Sequence, residues 1–98
     1  MLKTEAGLQR ELLSKARARG MLAHKLESRS GRGWPDCVLI YKGQAVFVEV
    51  KSPRGGRLSV HQKKMLKALD SHGAVAVVVG SVDEADRLIE SLLLELYL

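Results

Sequence analysis

Residues 36–51 have the sequence DCVLIYKGQAVFVEVK, in which two apolar runs rich in β-branched and aromatic residues flank Lys42 and Gly43. This pattern predicts a β-hairpin with a tight turn. If the loop consists of those two residues, Asp36 lies directly opposite Glu49 on one face of the sheet. A four-residue loop preserves this pairing, whereas a three-residue loop shifts it by one position. The hairpin therefore predicts two adjacent carboxylates at its open end.

Two carboxylates side by side repel each other, and a sheet gains no stability from pairing them. A divalent cation between Asp36 and Glu49 would remove the repulsion, and ligation by oxygen alone is typical of Mg²⁺ or Mn²⁺. Because strand side chains alternate, Lys51 shares a face with Glu49, and its ammonium could hold a water or a phosphate oxygen beside the cation. The alternative is an exposed Glu-Lys pair without further role, since this spacing is common by chance.

The flanking segments predict an α/β fold. Apolar residues at helical spacing between Thr4 and Arg19 predict a helix that Thr4 caps and Gly20 ends. The continuous apolar run 74–79, with three consecutive valines, is typical of a strand buried on both faces. The order α-β-β-β-α-β-α favours a mixed β-sheet flanked by helices. The other predicted elements are a strand at 21–28, a helix from 59 to about 71 and a helix from 83 toward 98.

Length and composition restrict the class of protein. The 98 residues are 46% hydrophobic and 28% charged, which favours a globular chain over a disordered or fibrous one. We expect one domain spanning 1–98. One cysteine excludes an internal disulfide, and the sequence contains neither a signal-peptide pattern nor a membrane-spanning run. We therefore expect a cytoplasmic protein, in a bacterium or in the host cell of a virus, without membrane contact.

The formal net charge is +5, but the charge is unevenly distributed. Residues 1–64 carry 14 basic and 5 acidic side chains, whereas residues 65–98 carry 2 basic and 6 acidic ones. Basic side chains concentrate in two loops beside the hairpin and on the helix that follows, which favours phosphate contacts that position a nucleic acid. The alternative is a solubilising surface. The predicted nucleic-acid-binding residues are Arg29, Arg32, Arg54, Arg57, Lys63 and Lys64, with Lys67 farther along the same helix.

Taken together, these residues resemble the PD-(D/E)xK nuclease superfamily and, within it, the VRR-NUC family in its minimal, free-standing form. The resemblance covers nearly the whole chain. It implies a restriction-endonuclease-like fold and hydrolysis of phosphodiester bonds in nucleic acid with Mg²⁺ or Mn²⁺, without a small-molecule cofactor. The matching residues are Gly33-Trp34-Pro35-Asp36, Glu49-Val50-Lys51, Arg57-Leu58-Ser59 leading to Gln62, and Glu5 and Gln9 on the first helix.

The resemblance also implies roles for the residues around the hairpin. Asp36 and Glu49 would bind the metal, together with the backbone carbonyl of Val50. Lys51 would position or activate the attacking water and stabilise charge on the phosphate. These four positions are the predicted centre of the site.

Two further site residues have structural alternatives. Glu5 would complete the metal site directly or through water, but it also suits the first turn of a helix, and Glu11 is its rival on another face. Gln62 would orient Lys51 or a phosphate. It equally completes a capping box with Ser59.

Two side chains next to these motifs have simpler expectations. Cys37 follows Asp36 on the strand and should point away from the metal, as a buried, inert thiol. Trp34 could wedge against a base, but packing beneath the loop before Pro35 is the favoured interpretation. With 4% aromatic residues, the chain is not expected to bind nucleic acid mainly by base stacking.

The apolar segment 88–98 covers more than half of a helix circumference, and a small domain has little core to cover it, which predicts a homodimer. The family resemblance adds that free-standing relatives are suited to act as paired subunits that make symmetric cuts in branched DNA. The predicted function is a metal-dependent, structure-selective DNA endonuclease that resolves Holliday junctions as a dimer. The alternatives are a flap or gapped-duplex nuclease, a non-catalytic DNA-binding module and, ranked last, a sequence-specific restriction-type enzyme.

Overall fold

The secondary structure follows the predicted order α-β-β-β-α-β-α. The computed structural model describes residues 4–27 and 33–95. The first strand is shorter than the predicted 21–28, and the other boundaries lie within a few residues of the predictions. The elements are α1 (Glu5–Ala18), β1 (Leu22–Lys25), β2 (Cys37–Tyr41), β3 (Gln44–Val50), α2 (Val60–Ser71), β4 (Val75–Val79) and α3 (Val82–Leu93).

The four strands form one mixed sheet in the order β1-β2-β3-β4. The pairs β1–β2 and β2–β3 are antiparallel, whereas β3 and β4 are parallel and are connected through α2. The buried core contains Leu8 and Leu12 from α1, Val48 from β3, and Leu88 and Ile89 from α3. The core therefore lies between one face of the sheet and the helices α1 and α3, and α2 packs against β4.

A two-residue turn fixes the register of the central hairpin. Lys42 and Gly43 have φ values of 48° and 84°, the left-handed conformation that type I′ hairpin turns require. The resulting register pairs Tyr41 with Gln44 and continues to Cys37 opposite Val48. This confirms the predicted two-residue loop. One step beyond that last pair, the register sets residue 36 against residue 49.

Helix capping follows the polar residues that the sequence indicates. The Thr4 hydroxyl accepts a hydrogen bond from the Gly7 N–H at 3.0 Å, and the chain leaves α1 through Gly20 with φ at 86°. Ser81 caps α3, so Asp83 lies inside its first turn instead of at its start. Each helix therefore begins at a residue that satisfies otherwise unpaired backbone N–H groups.

Arg17, in the last turn of α1, contacts the outer edge of the sheet. Its Nε and Nη2 donate hydrogen bonds to the Ala23 carbonyl at 3.1 and 2.8 Å. The Leu26 N–H donates to the Asp36 carbonyl, and hydrogen bonds alternate along antiparallel strands, so the Ala23 carbonyl points away from β2. The guanidinium therefore occupies an acceptor on the free edge of β1.

One expectation about apolar segments is wrong, and a second loses part of its basis. β4 is an outer strand of the sheet instead of a strand buried on both faces, and the exposed fraction of Val78 is 38%. In α3, Leu88 and Leu92 are buried in the core, so this part of the predicted dimer surface is covered by the chain itself. Leu94 is exposed, while residues 96–98 lie outside the described ranges.

Across residues 4–27 and 33–95, no helix has both the length and the apolar character to cross a membrane.

Candidate active site

Asp36 and Glu49 lie together at the open end of the hairpin. The Oδ2 atom of Asp36 accepts the Val50 N–H at 2.7 Å, which fixes this carboxylate at the point where the strand pairing ends. Glu49 is only 2% exposed and is a buried charged residue in a core that is otherwise apolar. The structure thus brings the two predicted carboxylates side by side.

The surroundings of Glu49 disfavour its charged form. Burial is the main cause and the neighbouring Asp36 carboxylate the second, and together they raise the pKa of Glu49 to about 8. The Lys51 ammonium, with Nζ 3.6 Å from Oε2 of Glu49, opposes this shift without cancelling it. An additional cation at this position would relieve an arrangement that the protein alone leaves unfavourable.

Gln62 connects α2 to the carboxylate pair. Its Nε2 donates to Oε2 of Glu49 at 3.0 Å, while its Oε1 accepts the Ser59 N–H at 2.8 Å. The Ser59 hydroxyl accepts the Gln62 N–H in return, which completes the capping box. The capping box is therefore confirmed, and the same side chain also contacts the carboxylate pair, through Glu49 and not through the predicted Lys51.

Of the two candidate carboxylates on α1, the structure brings Glu5 toward the site. Glu5 accepts the Ser52 N–H at 3.2 Å through Oε1, just beyond Lys51 in the chain. Glu11 instead forms an ion pair with Lys15 at 3.5 Å. Glu5 also lines the same cavity as Asp36.

That cavity of about 180 Å³ is lined by a basic residue, Lys25, that the sequence does not indicate as a site residue. Lys25 lies opposite Cys37 in the β1–β2 pairing and lines the cavity beside Asp36. Only the length and register of β1 identify it, because nothing in the local sequence distinguishes it from other surface lysines. The residues lining this cavity are Glu5, Ala6, Gln9, Lys25, Asp36 and Val50.

The segment before Asp36 is held against α2 by a close backbone approach. Gly33 has φ at 85°, and a Cβ on it would lie 2.3 Å from the carbonyl oxygen of His61, so a larger residue does not fit. Pro35 is fully buried. Trp34 is 38% exposed and contacts Phe47 edge-on, with ring centroids 6.3 Å apart. The expected packing of Trp34 is therefore only partial.

Cys37 is a buried thiol on the core face of β2. Its Sγ lies 3.8 Å from the Val48 carbonyl oxygen. Burial, with smaller contributions from Asp36 and Glu49, raises the pKa of this thiol to about 12. The predicted burial of this thiol is confirmed, and a raised pKa favours its protonated, less reactive form.

Exposed basic side chains occur in the two segments that directly follow Lys51 and Gln62 in the chain. Arg54 and Arg57 lie in the loop after Lys51, and Lys63 and Lys64 directly follow Gln62 on α2. Lys67, one turn farther along α2, is exposed as well. The predicted residues Arg29 and Arg32 lie outside the described residues.

The donor chemistry suits a magnesium-type cation. Asp36 and Glu49 supply carboxylate oxygens, and the Val50 backbone and Glu5 line the adjacent cavity. Within residues 4–27 and 33–95, no cluster of three or more His, Cys, Asp or Glu side chains is close enough to bind a metal. One or two carboxylates, completed by waters and phosphate oxygens, are a typical protein contribution to Mg²⁺. The residues therefore fit a hard divalent cation and do not suit zinc.

Comparison with known proteins agrees with this geometry. The family model for the VRR-NUC domain matches residues 3–83. A solved structure described as a VRR_NUC domain is 33% identical, covers 88% of this chain and 94% of its own, and has a TM-score of 0.79. A VRR_NUC domain protein is similar in fold, with 22% identity, coverage of 90% and 86%, and a TM-score of 0.74. No curated protein matches the chain. The chain belongs to the VRR-NUC domain family and has its nuclease-type fold.

Proposed function

We propose that the chain is a metal-dependent, structure-selective DNA endonuclease that cuts branched DNA, such as a Holliday junction, as a homodimer. The observation that carries this proposal is the buried Asp36–Glu49 pair with the Lys51 ammonium beside it. Such a pair weakens the fold, and it becomes useful when a cation and a phosphate are bound. VRR-NUC nucleases generally use divalent metals.

The metal would be held by Asp36, Glu49 and the carbonyl of Val50, with Glu5 reaching it through water. When bound, Mg²⁺ or Mn²⁺ supplies Lewis-acid polarisation of the scissile phosphate and lowers the pKa of a coordinated water. Gln62 holds the Glu49 carboxylate in position through the 3.0 Å hydrogen bond. The carboxylates therefore bind, and Gln62 positions one of them.

Lys51 is anchored where it can act on the reacting atoms. Its backbone N–H donates to the Val79 carbonyl at 2.9 Å, so the sheet fixes the start of its side chain. The side chain is 12% exposed, and its Nζ lies 3.6 Å from Oε2 of Glu49. Nζ can hold the attacking water or a non-bridging phosphate oxygen, and its charge stabilises the pentacovalent phosphate.

The DNA would be held through its backbone. Arg54, Arg57, Lys63 and Lys64 are exposed in the segments that follow two of the site residues, and they contact phosphates without reading base sequence. Selectivity would then come from the shape of the DNA. This favours a structure-selective enzyme over a restriction-type one.

The homodimer follows from the number of sites. The described residues contain a single carboxylate pair of this kind, and two symmetric cuts across a junction require two copies. Since Leu88 and Leu92 are buried within the chain, the dimer contact would lie outside that face of α3. A flap or gapped duplex needs one cut, so a monomer suffices for that alternative.

The test is cleavage of a four-way junction, a flap, a gapped duplex and a linear duplex by the full chain with Mg²⁺, Mn²⁺ or EDTA. We expect junction cleavage with either cation and none with EDTA. Asp36→Asn and Lys51→Ala should each slow cleavage by about a hundredfold or more. The matched control is Asp70→Asn, which removes an exposed carboxylate on α2 and should leave the rate unchanged.

Each of the other possible results contradicts one part of the proposal. Cleavage that survives EDTA, or an Asp36→Asn variant as active as the parent, contradicts the metal mechanism. DNA that is bound but never cut identifies a non-catalytic binding module. Preferred cutting of the flap by a chain that remains monomeric in light scattering at micromolar concentration contradicts the junction-resolving dimer.

A further inference from the structure

A small apolar cavity lies beside the carboxylate pair and has no part in the proposed chemistry. It has a volume of about 190 Å³ and is lined by Leu26, Glu27, Trp34 and Phe47. Ligand pockets for drug-sized molecules begin at roughly 300 Å³, so this cavity has room for a single ring system only. Trp34 forms one wall and is 38% exposed, which makes the cavity accessible from outside.

The walls of the cavity are directly connected to the candidate metal ligands. Trp34 precedes Asp36 by two residues, and Phe47 precedes Glu49 by two residues on β3. Phe47 and Glu49 both lie on β3, where side chains two apart share a face and lie about 7 Å apart, close to two base steps of DNA at roughly 3.4 Å each. Trp34 precedes β2 and lies against the same face through its contact with Phe47. Leu26 is tied to Asp36 by a backbone hydrogen bond of 2.8 Å. The cavity and the carboxylates therefore share one face of the sheet, at a distance that a DNA strand spans easily.

Trp34 is not enclosed as a purely structural tryptophan would be. On its other side lies a second cavity of about 340 Å³, bordered by Met65, Leu69 and His72. Its contact with Phe47 is edge-on, at an interplanar angle of 64°. An accessible indole with space on both sides is suited to stacking on a planar ring.

The negative charge of the remaining lining residue, Glu27, disfavours a phosphate and is compatible with a base. Glu27 is exposed at the cavity, and its negative charge repels phosphate groups. A carboxylate accepts hydrogen bonds only, so it can bind the exocyclic amino group of adenine, cytosine or guanine. Thymine has no such amino group.

We propose that the cavity between Trp34 and Phe47 binds one unpaired base of the DNA substrate, within about two nucleotides of the bond that is cut. This binding mode rests on the proposed function, because it places the base relative to the Asp36–Glu49 pair. It makes the unpaired base at a branch point the feature that the protein recognises. Base pairs inside a duplex do not fit a cavity of this size.

The test uses the full-length Asp36→Asn variant, which should hold branched DNA without cutting it. A single abasic site is moved one nucleotide at a time through the branch. We expect one or two positions at which the abasic site lowers affinity about tenfold, the typical contribution of one stacked base.

Trp34 is the only tryptophan in the chain. Its fluorescence should be quenched by intact DNA and not by DNA that is abasic at the sensitive position.

Substitutions at the cavity complete the test. In the same background, Trp34→Ala should lose about tenfold affinity for intact DNA and nothing more for the abasic DNA, because both changes remove one contact. Trp34→Phe should retain part of the affinity. The matched control is Leu22→Ala, which removes another exposed apolar side chain from the same face of the sheet and should bind like the parent. Thermal unfolding of each variant shows whether it is folded.

The experiment distinguishes an error in the proposed base binding from an error in the proposed endonuclease activity. If the wild-type chain cuts branched DNA but no abasic position depends on Trp34, base binding in the cavity is refuted while the endonuclease remains. If the chain cuts no DNA with either cation, yet one abasic position and Trp34→Ala are coupled, the endonuclease is refuted while base binding remains. Losses that simply add when the abasic site and Trp34→Ala are combined overturn the proposed contact.

Discussion

The charges at the open end of the hairpin and those between α1 and α3 are arranged in opposite ways. Between the helices, Lys15 contacts Asp86 and Arg19 contacts Glu90, each at 2.9 Å and each well exposed to solvent. Opposite charges are paired there, and water still hydrates them. Such pairs contribute little to stability, and they also cost little.

The hairpin end instead places two carboxyl groups together in a buried position. Glu49 is 2% exposed, next to Asp36, and its nearest cation, Lys51, does not compensate for the burial. A fold selected for stability alone would not retain this pair. Exposed, paired charges are therefore nearly neutral for stability, whereas a buried pair of carboxyl groups marks a position suited to a cation.

The largest effect expected from this contrast follows Glu49→Gln. The amide is neutral without taking up a proton on folding, as Glu49 must at neutral pH, so the metal-free protein should gain about 1 kcal/mol and melt roughly 4–8 °C higher. Cleavage should fall by about a hundredfold or more, because an amide binds a divalent cation poorly. Thermal unfolding in EDTA and a cleavage assay measure the two effects.

The control for this variant is Glu90→Gln, which changes an exposed, paired carboxylate between the helices. It should neither raise the melting temperature nor alter cleavage. If Glu49→Gln melts lower than the parent, the buried pair is a stabilising feature and the contrast between the two regions is wrong.

Gln62→Glu separates the two roles of Gln62 and should have the next largest effect. Glutamate can also accept the Ser59 N–H, so the capping box and the stability of α2 should survive. The carboxylate has no N–H to donate to Glu49 and adds a third negative charge. We expect cleavage to fall about tenfold or more, with a higher metal concentration needed for half-maximal activity.

Ser59→Ala is the complementary variant, because it removes the hydroxyl that caps α2 and leaves the Gln62 amide in place. It should lower stability by about 1 kcal/mol with little change in the metal requirement. If both variants behave alike in the two assays, Gln62 acts only through the helix.

The stability of the metal-free protein should also depend on pH through Glu49. Its pKa is raised from 4.5 to about 8 on folding, so between these values the folded chain binds more protons than the unfolded one. The free energy of unfolding should therefore fall as pH rises from about 4.5 to about 8. Asp36, Lys51 and Gln62 surround the carboxyl, and Glu49→Gln should flatten this part of the profile. Denaturant unfolding at pH 5, 6.5 and 8 in EDTA measures it.

The smallest effect is expected at the helices. Arg19→Ala removes an ion pair whose side chains are about half exposed, and its cost should be below about 1 kcal/mol. The loss should shrink further at high salt. Melting temperatures at low and high salt test this, and a loss as large as that from a core substitution would contradict the contrast.

Local rules predicted the hairpin well and distant packing poorly. The Lys42-Gly43 turn fixed the register, so the opposition of Asp36 and Glu49 was accessible from sequence alone. The valines of β4 predicted a strand but not its position, because its neighbours depend on the crossover through α2. An edge strand covered on part of one face has the same local pattern as a central one.

The same limit applies to the site. Gln62 fitted two hypotheses, and only the packing of α2 showed that a single side chain satisfies both Ser59 and Glu49. Lys25 was missed, since its place beside Asp36 depends on where β1 begins and ends. Residue types suggest which chemistry is possible, and three-dimensional packing determines which of these residues meet.

The contact between Arg17 and the Ala23 carbonyl has a consequence for how molecules of this protein meet. An exposed strand edge is a template onto which a strand of another molecule can add, and such addition leads to aggregation. At β1, an incoming strand must first displace a guanidinium that makes two hydrogen bonds to the acceptor it needs. The last turn of α1 thus protects this side of the sheet in concentrated solution, and Arg17→Ala should make the protein more prone to fibril formation.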